Sequence, residues 1–183
     1  MDENVVEQNQ EQQNQTETQE AVNAEASAPA TTTPQTKRFF LVCGLDDDIN
    51  QDAQDAVTRM GFEPVLLSPK SAADPAVFET LAGCGPDDFA VVLLQDDDVA
   101  SRRTQFPKNA VLQPVPEVVF FLGYLTAKLG VSRVFPVYQP KQNFRKPCEG
   151  LPYTEYDKVG RWRFDLAKAL KAAGYEVDAN RLL

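Results

Sequence analysis

From Lys37 onward, short apolar runs alternate with helix-patterned stretches, and this alternation constrains the fold more than any other feature of the chain. A strand that returns to the same sheet in parallel needs a crossover, normally a helix, so β-α repeated about five times predicts a parallel sheet with helices on both faces. RFFLVCG (38–44) and Phe89-Ala-Val-Val-Leu-Leu94 are continuous apolar runs, as expected of strands covered on both sides. FEPVLL (62–67) reads as a second strand, with Pro64 marking an edge or irregular position. VSRVFPVY (131–138) reads as a fourth, and Leu151 to Thr154 as a short fifth.

The intervening stretches carry helix signals. Ile49, Ala53, Ala56, Val57 and Met60 share one helical face, and Gly61 follows where a C′ glycine belongs. Asp74-Pro75 pairs an N-cap with Pro at N1, opening a short helix that ends near Gly83 or Gly85. The stretch 115–130, VPEVVFFLGYLTAKLG, is apolar nearly all round, which predicts a largely buried helix opened by Pro116 and closed by Gly130. The last helix is expected to start at Asp157 and to stop at Gly174. Val159, Trp162, Leu166, Ala169, Leu170 and Ala173 share its apolar face, and Phe164 also reads as a packing residue. Between Gln95 and about Gln113 the pattern is a polar loop.

Residues 1–36 differ in kind. They are Gln/Asn/Glu-rich, then Ala/Thr/Pro-rich, and too poor in large apolar side chains to offset their ordering entropy, so the expectation is a disordered arm before a domain over 37–183. The arm holds seven acids and no Lys or Arg, which leaves a net charge of −2 on the remainder out of −9 for the chain. A domain so nearly neutral lacks the uncompensated cations of a nucleic-acid clamp. The absence of His excludes a Ser-His-Asp triad, a Cys-His pair or a His-ligated metal built from this chain alone. Three widely spaced cysteines, Cys43, Cys84 and Cys148, fit neither a disulfide framework nor a structural zinc site. With no membrane-length apolar run and no signal-peptide start, the sequence reads as cytoplasmic.

In open parallel sheets, ligands bind beyond the carboxyl ends of the strands, near the point where strand order reverses. The stretches Gly44 to Asp48, Ser68 to Asp74 and Gln95 to Asn109 are therefore the candidate site. Asp46-Asp47-Asp48 and Asp96-Asp97-Asp98 follow apolar strands and read first as caps and solvated loop acids. Paired acids there could also hold Mg²⁺ in a receiver-like phosphoacceptor, with Asp96 as acceptor and Lys141 as partner. Arg102, Arg103 and Lys108 are the concentrated cations of these loops, suited either to a pyrophosphate or to local pairs with the acids. Ser71 and Asp74 read as plain loop positions, and Cys43 as a small hydrophobe with no neighbouring His or Lys to activate it.

Taken together, RFFLVCGLDDD, GFEPVLL, DDFAVVLLQDDDV, VVFFLGYLTAKLG and WRFDLAKALKAAGYEVD resemble the prokaryotic TIR-like nucleotide-binding proteins over residues 38–180. The resemblance implies a flavodoxin-like fold and an antiphage effector that cleaves NAD⁺ at the nicotinamide–ribose bond on assembly with itself or another TIR-type protein. It places NAD⁺ or a related nucleotide above Gly44, Leu45, Asp46, Ser68, Asp96, Arg102 and Arg103, with no metal. Cleavage builds positive charge on the ribose, which a carboxylate stabilises. In the family that carboxylate is a Glu in a pattern like N-V-I-F-E-L-G. Aligned on Leu122-Gly123, the Glu falls on Phe121 and the Asn on Glu117. The H-G-H-like pattern of relatives reads Cys43-Gly44-Leu45, and the approach to the helix reads Gln113-Pro114-Val115-Pro116. The expectation is a nucleotide-binding TIR-like protein with NAD⁺ hydrolysis weak or lost. The alternatives are an active nucleosidase using Glu117, a non-catalytic assembly or adaptor module, and the receiver-like domain. As a first-turn acid, Glu117 is also accounted for by the helix dipole.

Overall fold

The computed structural model describes residues 37–101, 104 and 109–178. The expected disordered arm, and the candidate cations Arg102, Arg103 and Lys108, lie outside the described residues. A parallel sheet in the order β2-β1-β3-β6-β7 forms the centre, comprising β1 (Phe39–Val42), β2 (Pro64–Leu67), β3 (Phe89–Leu94), β6 (Val134–Tyr138) and β7 (Thr154–Glu155). Among the described residues, three α-helices connect the strands, α1 (Asp47–Arg59), α2 (Pro75–Ala82) and α3 (Pro116–Leu129), and α4 (Arg161–Ala172) follows β7. This is the expected flavodoxin-like arrangement.

Side-chain alternation along the strands divides the core into two. Phe39, Leu41, Phe89, Val91 and Leu93 pack with Ile49, Ala53, Val57, Trp162, Leu166 and Leu170 of α1 and α4. Phe40, Val42, Ala90, Val92 and Leu94 pack on the other face with Leu81, Val118, Phe121, Leu122 and Leu125 of α2 and α3. All six residues of β3 are buried, because it is the central strand and both faces are covered. Pro64 opens β2 at the sheet edge, where a missing N–H costs no ladder hydrogen bond.

The helix ends follow from local chemistry. Asp46 caps α1 by accepting from the N–H groups of Asp48 and Ile49, at 3.1 and 3.2 Å. Gly61 (φ 94°) and Gly174 (φ 82°) take the left-handed conformation just past α1 and α4, letting Phe62 N–H and Tyr175 N–H reach back to the Val57 and Leu170 carbonyls.

Several boundaries differ from expectation. The fourth strand starts at Val134, because Gly130 (φ 82°, ψ 159°) breaks the chain direction and residues Val131–Arg133 form a 3₁₀ turn. The second strand omits Phe62 and Glu63, which follow the turn at Gly61. The fifth pairs at Thr154–Glu155 rather than from Leu151. The last helix begins at Arg161. Asp157 lies outside it yet accepts from the N–H groups of Arg161 and Trp162, at 3.0 and 3.1 Å. Val159 accordingly lies before the helix and is 94% exposed, while Phe164 points outward at 39%. The supposed polar loop contains an antiparallel ribbon, β4 (Asp98–Ala100) with β5 (Val111–Gln113), tied to the segment after β6 through Leu112 and Arg145. Finally, α3 is buried on one side only: Val118, Phe121, Leu122, Leu125 and Leu129 face inward, and Phe120 is 45% exposed. No helix among the described residues is long and apolar enough to cross a membrane.

Candidate functional site

The chain passes from β1 to one side of the sheet and returns on the other side at β3, so the switch point lies between these two strands. The loops leaving them meet there. Gly44 is the point of closest approach: a Cβ on it would lie 2.3 Å from Gln95 Oε1 and 2.5 Å from Asp97 Oδ2. Only a residue without a side chain lets the two loops come together so closely.

Gln95 organises the junction and is 1% exposed. Its Oε1 accepts from the Asp46 N–H at 2.7 Å, while its Nε2 donates to Asn50 Oδ1 at 2.9 Å and to the Asp46 carbonyl at 3.4 Å. Asn50 closes the circuit, donating to the Gly44 carbonyl at 3.0 Å and accepting from the Gly44 N–H at 3.2 Å. The Leu45 N–H donates to Asp97 Oδ2 at 3.1 Å. The backbone donors of Gly44, Leu45 and Asp46 are thus held by side chains of this chain. Burial pushes the Asp97 carboxyl above the ordinary range, with the Leu45 hydrogen bond opposing, Asp96 and Asp46 adding repulsion, and Lys141 opposing.

Asp96 turns away from this network. Its N–H donates to Gln139 Oε1 at 3.3 Å, and its carboxylate pairs with Lys141 at 2.5 Å, so the two side chains named by the receiver-like reading do meet. Among the described residues no group of three His, Cys, Asp or Glu is placed to hold a metal ion. Ser68 leaves β2 and engages Ser71, whose hydroxyl accepts from the Ser68 N–H at 3.0 Å, at the start of the 3₁₀ turn Pro69–Ala73. Cys43 ends β1 half-buried, and burial pushes its thiol up to about 11, which leaves it protonated at neutral pH.

Glu117 sits partly exposed in the first turn of α3, and its carboxylate has no polar partner among the described residues. Phe121, one turn on, is 0% exposed. It packs in the cluster that contains Val42, Leu67 and Leu94, the last residues of β1, β2 and β3. At the position where the resemblance puts the carboxylate, this chain has an aromatic ring sealed beneath the strand exits. Position 117 is the nearest acid on that helix.

The roles of Gln95, Asn50 and Gln139, and the bond that Asp97, read as a loop acid, accepts from Leu45, emerge only from the structure. One signal for them was present: a Gln directly after an all-apolar strand has to enter the protein or leave it at a single residue, and Asn50 stands four residues past the cap Asp46, on the same side of the helix.

The comparisons with known proteins agree with this architecture. A family model described as the TIR domain of CAP12/Pycsar effector proteins matches residues 38–158. The uncharacterized protein YuaY of Escherichia coli K12 is 29% identical over 162 residues, which is 88% of this chain and 54% of that protein. Protein tirC of Dictyostelium discoideum is 29% identical over 126 residues, 63% of this chain and 61% of the relative. The chain therefore spans about half to three-fifths of the length of these relatives. With the parallel five-stranded sheet and the family match over most of its described length, the chain belongs to the CAP12/Pycsar effector TIR-domain family.

Proposed function

We propose that this domain is a TIR signalling module of a prokaryotic defence type that works by binding and assembly, with NAD⁺ hydrolysis lost or residual. The observation that carries the proposal is Phe121, which is 0% exposed where the family's charge-stabilising carboxylate would stand. A phenyl ring offers no charge to a developing oxocarbenium ion, and losing one electrostatic stabiliser of a transition state costs on the order of 100-fold to 1000-fold in rate. Glu117 does not replace it in kind. It lies a turn earlier, about 6 Å along the helix, and a misplacement of about 1 Å already costs on the order of 100-fold.

The ligand class that goes with this reading is NAD⁺ or a derivative, held above Gly44, Ser68, Asp96 and Glu117. The Gln95 and Asp97 side chains occupy the loop amides that a phosphate would otherwise use. Nucleotide entry at those amides therefore requires these two side chains to swing aside, and contacts from the rim, through Ser68 and the Asp96–Lys141 pair, do not. The proposed partners are such a nucleotide and another TIR-type chain. Calorimetric titration with NAD⁺, ADP-ribose and a cyclic nucleotide tests the binding half. Saturable heat with the dinucleotide recovered intact supports the proposal, and no heat from any of them at millimolar concentration overturns it.

A further inference from the structure

The outward face of α3 carries a feature that the interior of the domain does not explain. Phe120 is 45% exposed and meets Phe78 of α2, itself 43% exposed, edge to face at 6.0 Å; Tyr124 lies 6.1 Å beyond. Gly123, exposed at the middle of the same face, has helical backbone, and a Cβ on it would meet nothing within 4 Å. A helix-interior glycine costs stability relative to alanine, and here no neighbour among the described residues requires it. Its effect is to leave the helix surface low beside the exposed Phe120 ring.

The charges at the two ends of this face match each other. Glu117 and Lys128 are eleven residues apart, hence about 20° apart around the helix and roughly 16 Å along it, on the same rim as Tyr124. A two-fold axis across the helix near Leu122 and Gly123 exchanges these two positions. It sets Glu117 of one copy beside Lys128 of the other, twice, along one edge of the contact. The same operation brings each Phe120 over the gap left by Gly123 and Ala127 of the opposite copy. Self-complementarity of this kind is what a closed, isologous pair requires.

We infer that the α3 face is a homodimer interface, in which two copies pack α3 antiparallel about Gly123, Phe120 fills the opposing gap, and Glu117–Lys128 pairs fix the register. This inference rests on the assembly half of the proposal above; it shares Glu117 with the nucleotide half, whereas Phe120 and Lys128 belong to the assembly half alone. It also gives Glu117 a role that needs no chemistry.

Sedimentation of the full chain from micromolar to near-millimolar concentration tests it, with wild type, Phe120→Asp, Glu117→Lys, Lys128→Glu and the double charge swap compared. Circular dichroism checks that each variant is folded. The expected result is a concentration-dependent wild-type dimer, weakened about 100-fold by Phe120→Asp, as for a central aromatic anchor present twice. Each single charge swap weakens it about tenfold, and the double swap restores it, because opposite charges again face each other. A wild-type dimer indifferent to all four variants overturns this interface while leaving self-assembly standing. A wild-type chain that stays monomeric throughout overturns both.

Discussion

Phe120 and Phe121 are sequence neighbours with ring centroids 5.6 Å apart, yet one is 45% exposed and the other is sealed in the core. The helix divides them: Phe121 belongs to the stripe with Val118, Leu122 and Leu125, and Phe120 to the opposite side. This single step of about 100° separates a residue that the resemblance aligns with the catalytic carboxylate from one exposed at the surface.

Phe121→Glu is expected to destabilise the domain rather than restore an enzyme. An unpaired carboxylate in that cluster carries a penalty of several kcal/mol, and for a chain of this size each 1 kcal/mol lowers Tm by about 2–4 °C. A thermal melt should fall by about 10 °C or more, and the fall should shrink in acid, where the new carboxyl is neutral. A melt unchanged at neutral pH would show that position 121 has access to water or to a cation.

The junction between Gly44 and Gln95 makes a second prediction. Gln95→Ala leaves the Asp46 N–H without its acceptor, and Gly44→Ala drives a Cβ into the Gln95 amide. Each is expected to cost about 1–3 kcal/mol. Because the two act on one contact, the double variant should be less destabilised than the sum, by about 0.5–3 kcal/mol. Urea denaturation of the four proteins measures this, and strict additivity would contradict the contact.

The fold was largely legible in the sequence because its elements are set by local rules. Six consecutive apolar residues at 89–94, bounded by Asp88 and Gln95 and too few for a typical helix, fit a covered central strand, and Gly61 and Asp74-Pro75 carry their own backbone geometry. The errors lie where tertiary contacts decide. Residues 131–133 look like strand, but Gly130 turns the chain first, and Val159 looks like part of a helical stripe although the helix starts two residues later. Nor does an all-round apolar pattern in α3 distinguish a buried helix from one that keeps a face for contact. At the site, the sequence pointed to the acids; of these only Asp97 holds the junction, through the Leu45 N–H, and amides make the other connections. Asp46 caps a helix, Asp96 pairs with Lys141, and the neutral Gln95 and Asn50 make the connections.

Asp97 supplies a pH dependence. Its folded-state pKa is raised by burial, so the folded chain holds this proton at pH values where the unfolded chain has released it. Stability therefore declines as pH rises from the ordinary Asp value of about 3.9 through the raised folded one, and the cost persists above it. Asp97→Asn keeps an acceptor for the Leu45 N–H and removes that cost. Its Tm should exceed wild type at pH 7, with the advantage vanishing below about pH 4. A variant less stable than wild type at pH 7 would mean that the Asp97 charge is favourable in the fold.

The most direct test of the central claim is nicotinamide release from NAD⁺ by the full chain at high protein concentration, with Glu117→Ala alongside. The account predicts release at or only slightly above background for wild type, unchanged in Glu117→Ala. Robust wild-type turnover that disappears in Glu117→Ala would contradict it and make Glu117 the catalytic carboxylate.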